Sequence, residues 1–397
     1  MALLSKRIEA LEESATLAMA RKSRALQDQG KKIINLSLGE PDFNTPNFIK
    51  KAAKKAIDDN FSKYTPVPGY KDLLEIISMK FQRDNKLVYH PNEIVCSTGA
   101  KQSIAQTLMV LLNDGDEVIL PAPYWVSYAQ MVQLAGGKCR VVNTKIDNNF
   151  KIKPEDLESI ITKKSKVFLF SSPCNPTGSV YSKKELMALG EVFQKHKHLI
   201  IISDEIYEHI NFTKNHFSIG RIHELKNQVV TVNGLSKGYA MTGWRFGYLG
   251  APKKIAQACI KMQGQITSAT CSITQRAAIT ALLKDPICTH KMRKTFKERR
   301  DLMITLLSKI KDLDINKPEG AFYIFPDISK YIGKKFQEKH INSSDDLSMF
   351  LLEDAGVSTV SGTAFGANNH IRISYAASNQ ELMRACRLIN KSLDKLH

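Results

Sequence analysis

The residues with the clearest chemistry lie at positions 233–248, N-G-L-S-K-G-Y-A-M-T-G-W-R-F-G-Y. A lysine in a partly dry site loses its proton easily and can then form a Schiff base with an aldehyde. Lys237 follows a strand-like run and is flanked by Ser236 and small residues. Ser236 and Arg245 supply the donors that a phosphate attached to such an aldehyde needs. Together the three groups describe a pyridoxal phosphate site. Gly234, Ser236 and Gly238 also match the G-x-S-x-G elbow of serine hydrolases. That pattern is short, and its remaining partners would have to be Asp327 and His370, which nothing marks. The lysine chemistry is therefore preferred.

Other segments carry matching functions. Residues 97–102, S-T-G-A-K-Q, open a helix whose free N–H groups can meet an anion, with Gly99 and Ala100 allowing close approach. Lys101 at that helix start opposes the helix dipole, which favours a ligand role over a structural one. Asp204 ends an apolar strand in S-D-E-x-Y, with Tyr207 three residues on. Asn175 lies in the Pro-rich loop S-P-C-N-P-T-G, Trp125 in A-P-Y-W-V, and Arg372 in H-I-R-I-S.

These motifs, in this order, resemble the fold-type I, pyridoxal phosphate-dependent class I aminotransferases, from residue 5 to 395. The resemblance is greatest to the bacterial aspartate aminotransferase subgroup that also contains prephenate aminotransferases. It implies that Lys237 holds the cofactor and moves a proton as general acid and base. Asp204 would pair with the pyridine nitrogen, and Tyr207 and Asn175 with the 3′-oxygen. Gly99, Ala100, Lys101, Ser236 and Arg245 would surround the phosphate, and Trp125 would stack on the ring. Tyr64, in K-Y-T-P, would reach the phosphate of a neighbouring subunit, so a homodimer with shared sites is expected. Arg372 would fork onto the substrate carboxylate, with Gly39 and Asn175 assisting. Thr16 and Lys101 resemble the readers of an acidic side chain. The implied reaction is ping-pong amino transfer between L-aspartate and 2-oxoglutarate. Prephenate carries a second carboxylate as well, so a prephenate or other amino-acid aminotransferase of the same fold is the alternative. Amino acids and 2-oxo acids are thus the expected partners.

These residues need a scaffold. From residue 94 strands and helices alternate, which implies an α/β fold with a mostly parallel, seven-stranded sheet covered on both faces. Residues 1–40 are expected to form an arm contributing to a smaller domain, 41–285 the large cofactor-binding domain, and 286–397 a smaller α+β domain. Residues 1–30 and 70–85 read as continuous helices, and 245–249, 321–326 and 357–360 as strands.

Bulk properties exclude several other classes. The 397 residues suffice for two or three domains. No apolar run approaches the roughly 18 residues that span a bilayer. Charged residues interrupt the first fourteen positions, and the seven Cys never form C-x-x-C. A reduced, cytoplasmic protein without a disulfide framework or metal site is expected. The net charge of +18 suggests nucleic acid. The cations are dispersed, however, and no nucleic-acid motif accompanies them. A pyridoxal phosphate-binding regulator would need a separate DNA-binding domain, for which residues 1–30 are too short.

Overall fold

A computed structural model of the chain describes residues 3–213, 215–283 and 286–397. The boundary expected at residue 285 lies outside the described residues. The main sheet has seven strands: β1 (Ile94–Ser97), β2 (Glu117–Ala122), β3 (Lys138–Asn143), β4 (Ser165–Ser171), β5 (Ile200–Asp204), β6 (Val229–Gly234) and β7 (Gly247–Gly250). Their order is β1-β7-β6-β5-β4-β2-β3. The pairs from β6 through β3 are parallel, and β7 runs antiparallel to both β6 and β1. The sheet is therefore mostly parallel, as its rhythm predicts. Strands β4 and β5 are nearly uninterrupted apolar runs because helices cover both faces.

Register fixes the site. Ser171 pairs with Asp204, and Asp204 with Val232, so three strands reach one level at their carboxyl ends. Ligands of open α/β sheets bind there. The loops that follow carry Asn175, Tyr207 and Lys237.

A second, three-stranded antiparallel sheet is formed by β8 (Tyr323–Ile324), β9 (Val360–Ser361) and β10 (Ile371–Ser374), in the order β9-β10-β8. The helices Ile287–Leu307 and Asn379–Leu393 pack on it through Phe296, Met303, Leu307, Leu382, Ile389 and Leu393. Ile206, Tyr207 and Ile210 join the same cluster, which ties the end of β5 to this second sheet. The strand Ile34–Asn35 pairs in parallel with Val357–Ser358. Among the described residues no helix is long and apolar enough to cross a membrane.

Several elements depart from the sequence reading. The arm is two helices, Lys6–Glu9 and Ala15–Asp28; the break carries Glu12, whose N–H donates to the Gln130 side chain at 3.0 Å. The helix after Tyr70 is regular only over Lys71–Lys80 and ends in a π turn, Phe81–Asn85. That turn swings Asn85 inward onto two buried carboxylates. The expected strand at 357–360 is split, because Val357–Ser358 and Val360–Ser361 serve different neighbours. The strand expected at 321–326 spans only Tyr323–Ile324, after Ala321 at φ +55°. β7 begins two residues late because Arg245 is left-handed, at φ +52°.

A charged cluster lies beneath β5. The Lys80 ammonium is fully buried and bonds Glu208 and Asn85 Oδ1, the latter at 2.8 Å. Asn85 donates in turn to Glu208 at 2.6 Å, and Glu205 accepts from Ser203, Ser218 and His216 at 3.0, 2.6 and 2.8 Å. Burial pushes the Glu208 carboxyl up, but Lys80, His209 and His216 more than offset it and hold it well below the usual range. Removing Lys80 would take away the strongest of these opposing charges. Lys80→Ala is expected to lower stability by roughly 3–5 kcal/mol, read as a fall in the denaturant midpoint. Arg21→Ala, which breaks the exposed pair with Glu13, is expected to cost less than about 1 kcal/mol.

Candidate active site

The carboxyl ends of β4, β5 and β6 open into a cavity of about 470 Å³, large enough for a small organic ligand. Asp204 lies in it, only 4% exposed. Its Oδ2 accepts a hydrogen bond from the Tyr128 hydroxyl at 2.7 Å, and its Oδ1 one from the Ile206 N–H at 3.2 Å. Burial raises this carboxyl to about 6, against the pull of those two bonds and of Lys237. A carboxylate this deep is well placed to hold a ligand cation.

Lys237 also lines the cavity, and its Nζ donates to the Gly39 carbonyl at 2.6 Å. Burial lowers its ammonium to about 8; Glu40 pulls the other way, while Arg372 and Arg245 add to the fall. Tyr207, also buried, shares a hydrogen bond with the Tyr323 hydroxyl at 2.8 Å.

At one end of the cavity stands Arg372, 1% exposed, in the middle of the second sheet. Its Nη1 donates to Asn175 Oδ1 at 2.9 Å and its Nη2 to the Ser37 carbonyl at 2.5 Å. The guanidinium lies 4.5 Å from the Tyr323 ring centre and 5.0 Å from that of Phe365. Its Nε has no partner, and among the described residues no carboxylate forms an ion pair with it. A buried cation without a counter-charge is costly unless an anion arrives. Asn175, with its oxygen engaged, keeps its amide N–H groups for a ligand.

The other end has the make-up that suits an anion. The helix Ala100–Leu111 starts at Gly99, φ +86°, with no side-chain cap, so its first N–H groups remain for a ligand. Gly99 also lets Arg245 close in, since a β-carbon there would collide with the guanidinium. The left-handed backbone at Arg245 points that side chain back toward Thr98, where Nη2 donates to the carbonyl at 3.4 Å. Gly247 lets β7 run directly beneath this helix start. Ser236 is buried beside it. Lys101 holds its ammonium 4.9 Å from the Trp125 ring centre, and burial and then Arg245 lower its affinity for the proton.

Of the residues singled out in the sequence, Thr16, Gly39, Ala100, Lys101, Trp125, Asn175, Asp204, Tyr207, Ser236, Lys237, Arg245 and Arg372 all line this one cavity. Gly99 lies just behind Arg245. Tyr64 is not brought in; it is 95% exposed. Thr16 is not a helix cap, because Ser14 holds that position, and its buried Oγ1 has no hydrogen-bond partner. Asp327 and His370, the partners a hydrolase would need, lie 3.7 Å apart, yet neither lines the cavity that holds Ser236.

The sequence matches the aminotransferase class I and II family over residues 31–389. The chain belongs to that family. It is 45% identical over 401 residues to a probable aspartate/prephenate aminotransferase of Rickettsia bellii, covering 100% of both chains. It is 44% identical over 389 residues to an aspartate/prephenate aminotransferase of Cereibacter sphaeroides, covering 97% of each. Among solved structures, an aspartate aminotransferase from Rhizobium meliloti superposes with a TM-score of 0.96 at 39% identity over 100% of both chains. The aspartate aminotransferase of Thermus thermophilus with maleate gives 0.93 at 37% identity, covering 99% of this chain and 100% of the other.

Twelve further residues lining this cavity are not singled out by the sequence, among them Ser14, Glu40, Tyr128 and Tyr323. Tyr128 carries a weak local signal, since it follows Trp125 by three positions at a helix start, where such spacing shares a face. Tyr323 carries none. Its place follows from the pairing of β8 with β10.

Lys237 is expected to behave as an unusually acidic lysine. Its neutral amine forms as pH rises, so capture of a small aldehyde by the apoprotein, trapped with borohydride, should reach half its maximum near pH 8. A midpoint near the ordinary 10.5 would show that burial does not act on it.

Proposed function

We propose that this aminotransferase uses pyridoxal 5′-phosphate to exchange an amino group between L-aspartate and 2-oxoglutarate, giving oxaloacetate and L-glutamate. The observation that carries the reading is the buried Arg372 guanidinium, without a carboxylate of its own, at one end of a cavity that holds Lys237 and Asp204 and has a second cation, Lys101, on its wall. Two separated cations suit an amino acid with two carboxylates.

The residues fit the cofactor. Asp204 is a buried carboxylate that a protonated ring nitrogen would neutralise, and the Gly99–Ala100 helix start with Ser236 and Arg245 suits a phosphate. When bound, pyridoxal phosphate supplies an aldehyde for the amine and a ring that takes up electrons from the substrate Cα. The protein does the rest. Arg372 and Asn175 grip the α-carboxylate, and Gly39 places backbone beside it. Lys101 and the unpartnered Thr16 hydroxyl meet the side-chain carboxylate. Asp204 keeps the ring nitrogen protonated, and Tyr207 and Asn175 donate to the ring oxygen. Trp125 covers the ring face. Lys237, neutral for part of the time near pH 8, would take the proton from the substrate Cα as general base and give it up again as general acid.

Prephenate is the second reading. It offers the same two carboxylates, and relatives of 44–45% identity are named aspartate/prephenate aminotransferases. We also infer a homodimer. Tyr64, exposed and outside its own cavity, is available to the partner's phosphate, as the resemblance implies.

Lys237→Ala is expected to remove the visible absorption of the holoenzyme and essentially all turnover. Arg372→Lys, which keeps the charge but loses the fork, is expected to lower kcat/KM by roughly a hundredfold or more, mainly through KM. Donors tested against a panel of 2-oxo acids check specificity. Poor use of aspartate and glutamate beside rapid use of apolar amino acids would remove the dicarboxylate assignment and leave the family membership standing.

A further inference from the structure

Among the described residues, two hydrogen bonds hold the Asp204 carboxylate. The Ile206 N–H fixes one oxygen from within the same turn. The other is fixed by Tyr128, 76 positions away in sequence, through its hydroxyl at 2.7 Å. Tyr128 is buried in the first turn of the helix Ser127–Leu134 and also lines the cavity. The same ring meets Trp125 edge to face, with centroids 5.4 Å apart and planes at 90°. One side chain thus touches both the carboxylate assigned to the ring nitrogen and the indole assigned to the ring face.

We propose that Tyr128 is a positioning residue of the amino-transfer reaction: its hydroxyl aims the Asp204 carboxylate at the cofactor ring nitrogen while its ring squares Trp125 against the cofactor face. This rests on the reading of the cavity as a pyridoxal phosphate site.

A packing role alone would not need the hydroxyl, because phenylalanine fills the same volume. What the hydroxyl adds is a hydrogen bond to a charged acceptor, which favours the charged form. Burial drives Asp204 toward its neutral form, and a neutral acid cannot hold the ring nitrogen protonated. The phenol is itself protected as a donor, because burial, and then the Asp204 charge, raise its own proton affinity well above the ordinary value. The other ionisable groups acting on the pair are Lys237, Glu205 and Cys174. None of them bonds the oxygen that Tyr128 holds.

The test compares wild type, Tyr128→Phe, Asp204→Asn and the double variant, each purified and checked for folding by the melting curve of its apoprotein. The first readout is the dissociation constant for pyridoxal phosphate, followed by protein fluorescence. A bond to a charged group is worth roughly 1.5–3 kcal/mol, so Tyr128→Phe should weaken cofactor binding or slow kcat by about tenfold to a hundredfold. KM for aspartate should change far less. The pH at which the holoenzyme's visible band changes should also shift. In the Asp204→Asn background the tyrosine substitution should have little further effect. A folded Tyr128→Phe protein with wild-type cofactor affinity, kcat and band titration would overturn the proposal. So would an equal loss in both backgrounds, which would mean that Tyr128 acts through packing. Failure of the wild type to bind pyridoxal phosphate at all would instead overturn the reading of the site.

Discussion

The site depends on one register. Because Ser171, Asp204 and Val232 come level across three parallel strands, the chain leaves the sheet at three neighbouring points and sends three loops into one space. A slip of one residue in β5 would turn Asp204 to the opposite face of the sheet, since side chains alternate along a strand. The apolar residues of β4 and β5, buried on both sides, enforce that register. The chemistry is therefore held by core packing that has no chemical role itself.

Onto this level the second sheet brings its own cation. Arg372 sits between β9 and β8, so its guanidinium is positioned by cross-strand pairing and by the ring of Tyr323. Tyr323 also meets Tyr207, and Arg372 meets Asn175 and Ser37. These contacts join the end of the large sheet, the Pro-rich loop and the segment around Gly39. An anion bound at Arg372 would draw on groups from all of them.

What could be read in the sequence follows from locality. Lys237, Asp204, Tyr207, Asn175 and the Gly99 helix start lie in short contiguous motifs whose residue types suit their surroundings. The alternation of strands and helices likewise shows in periodicity. Tyr128 and Tyr323 are not legible because their places in the cavity come from contacts 76 and 116 residues away. The π turn at Phe81–Asn85 was hidden for a similar reason: it exists to deliver Asn85 to carboxylates on a distant segment. The split after Val357–Ser358 reflects two different pairing partners, which hydrophobicity alone cannot distinguish. At Arg245 the strand pattern gave way to a left-handed residue, an energetic cost of the order of 1 kcal/mol that the cavity offsets by gaining its guanidinium.

The cluster beneath β5 has a different bearing. Glu205, Glu208 and His216 place their ligating atoms within 4.8 Å of one another, an arrangement that could suit a divalent ion. Lys80 already brings an ammonium to it. A counter-ion attached to the polypeptide is present at a concentration set by chain geometry, independent of the medium. The corner of the fold that backs Asp204 thus carries its own counter-ion.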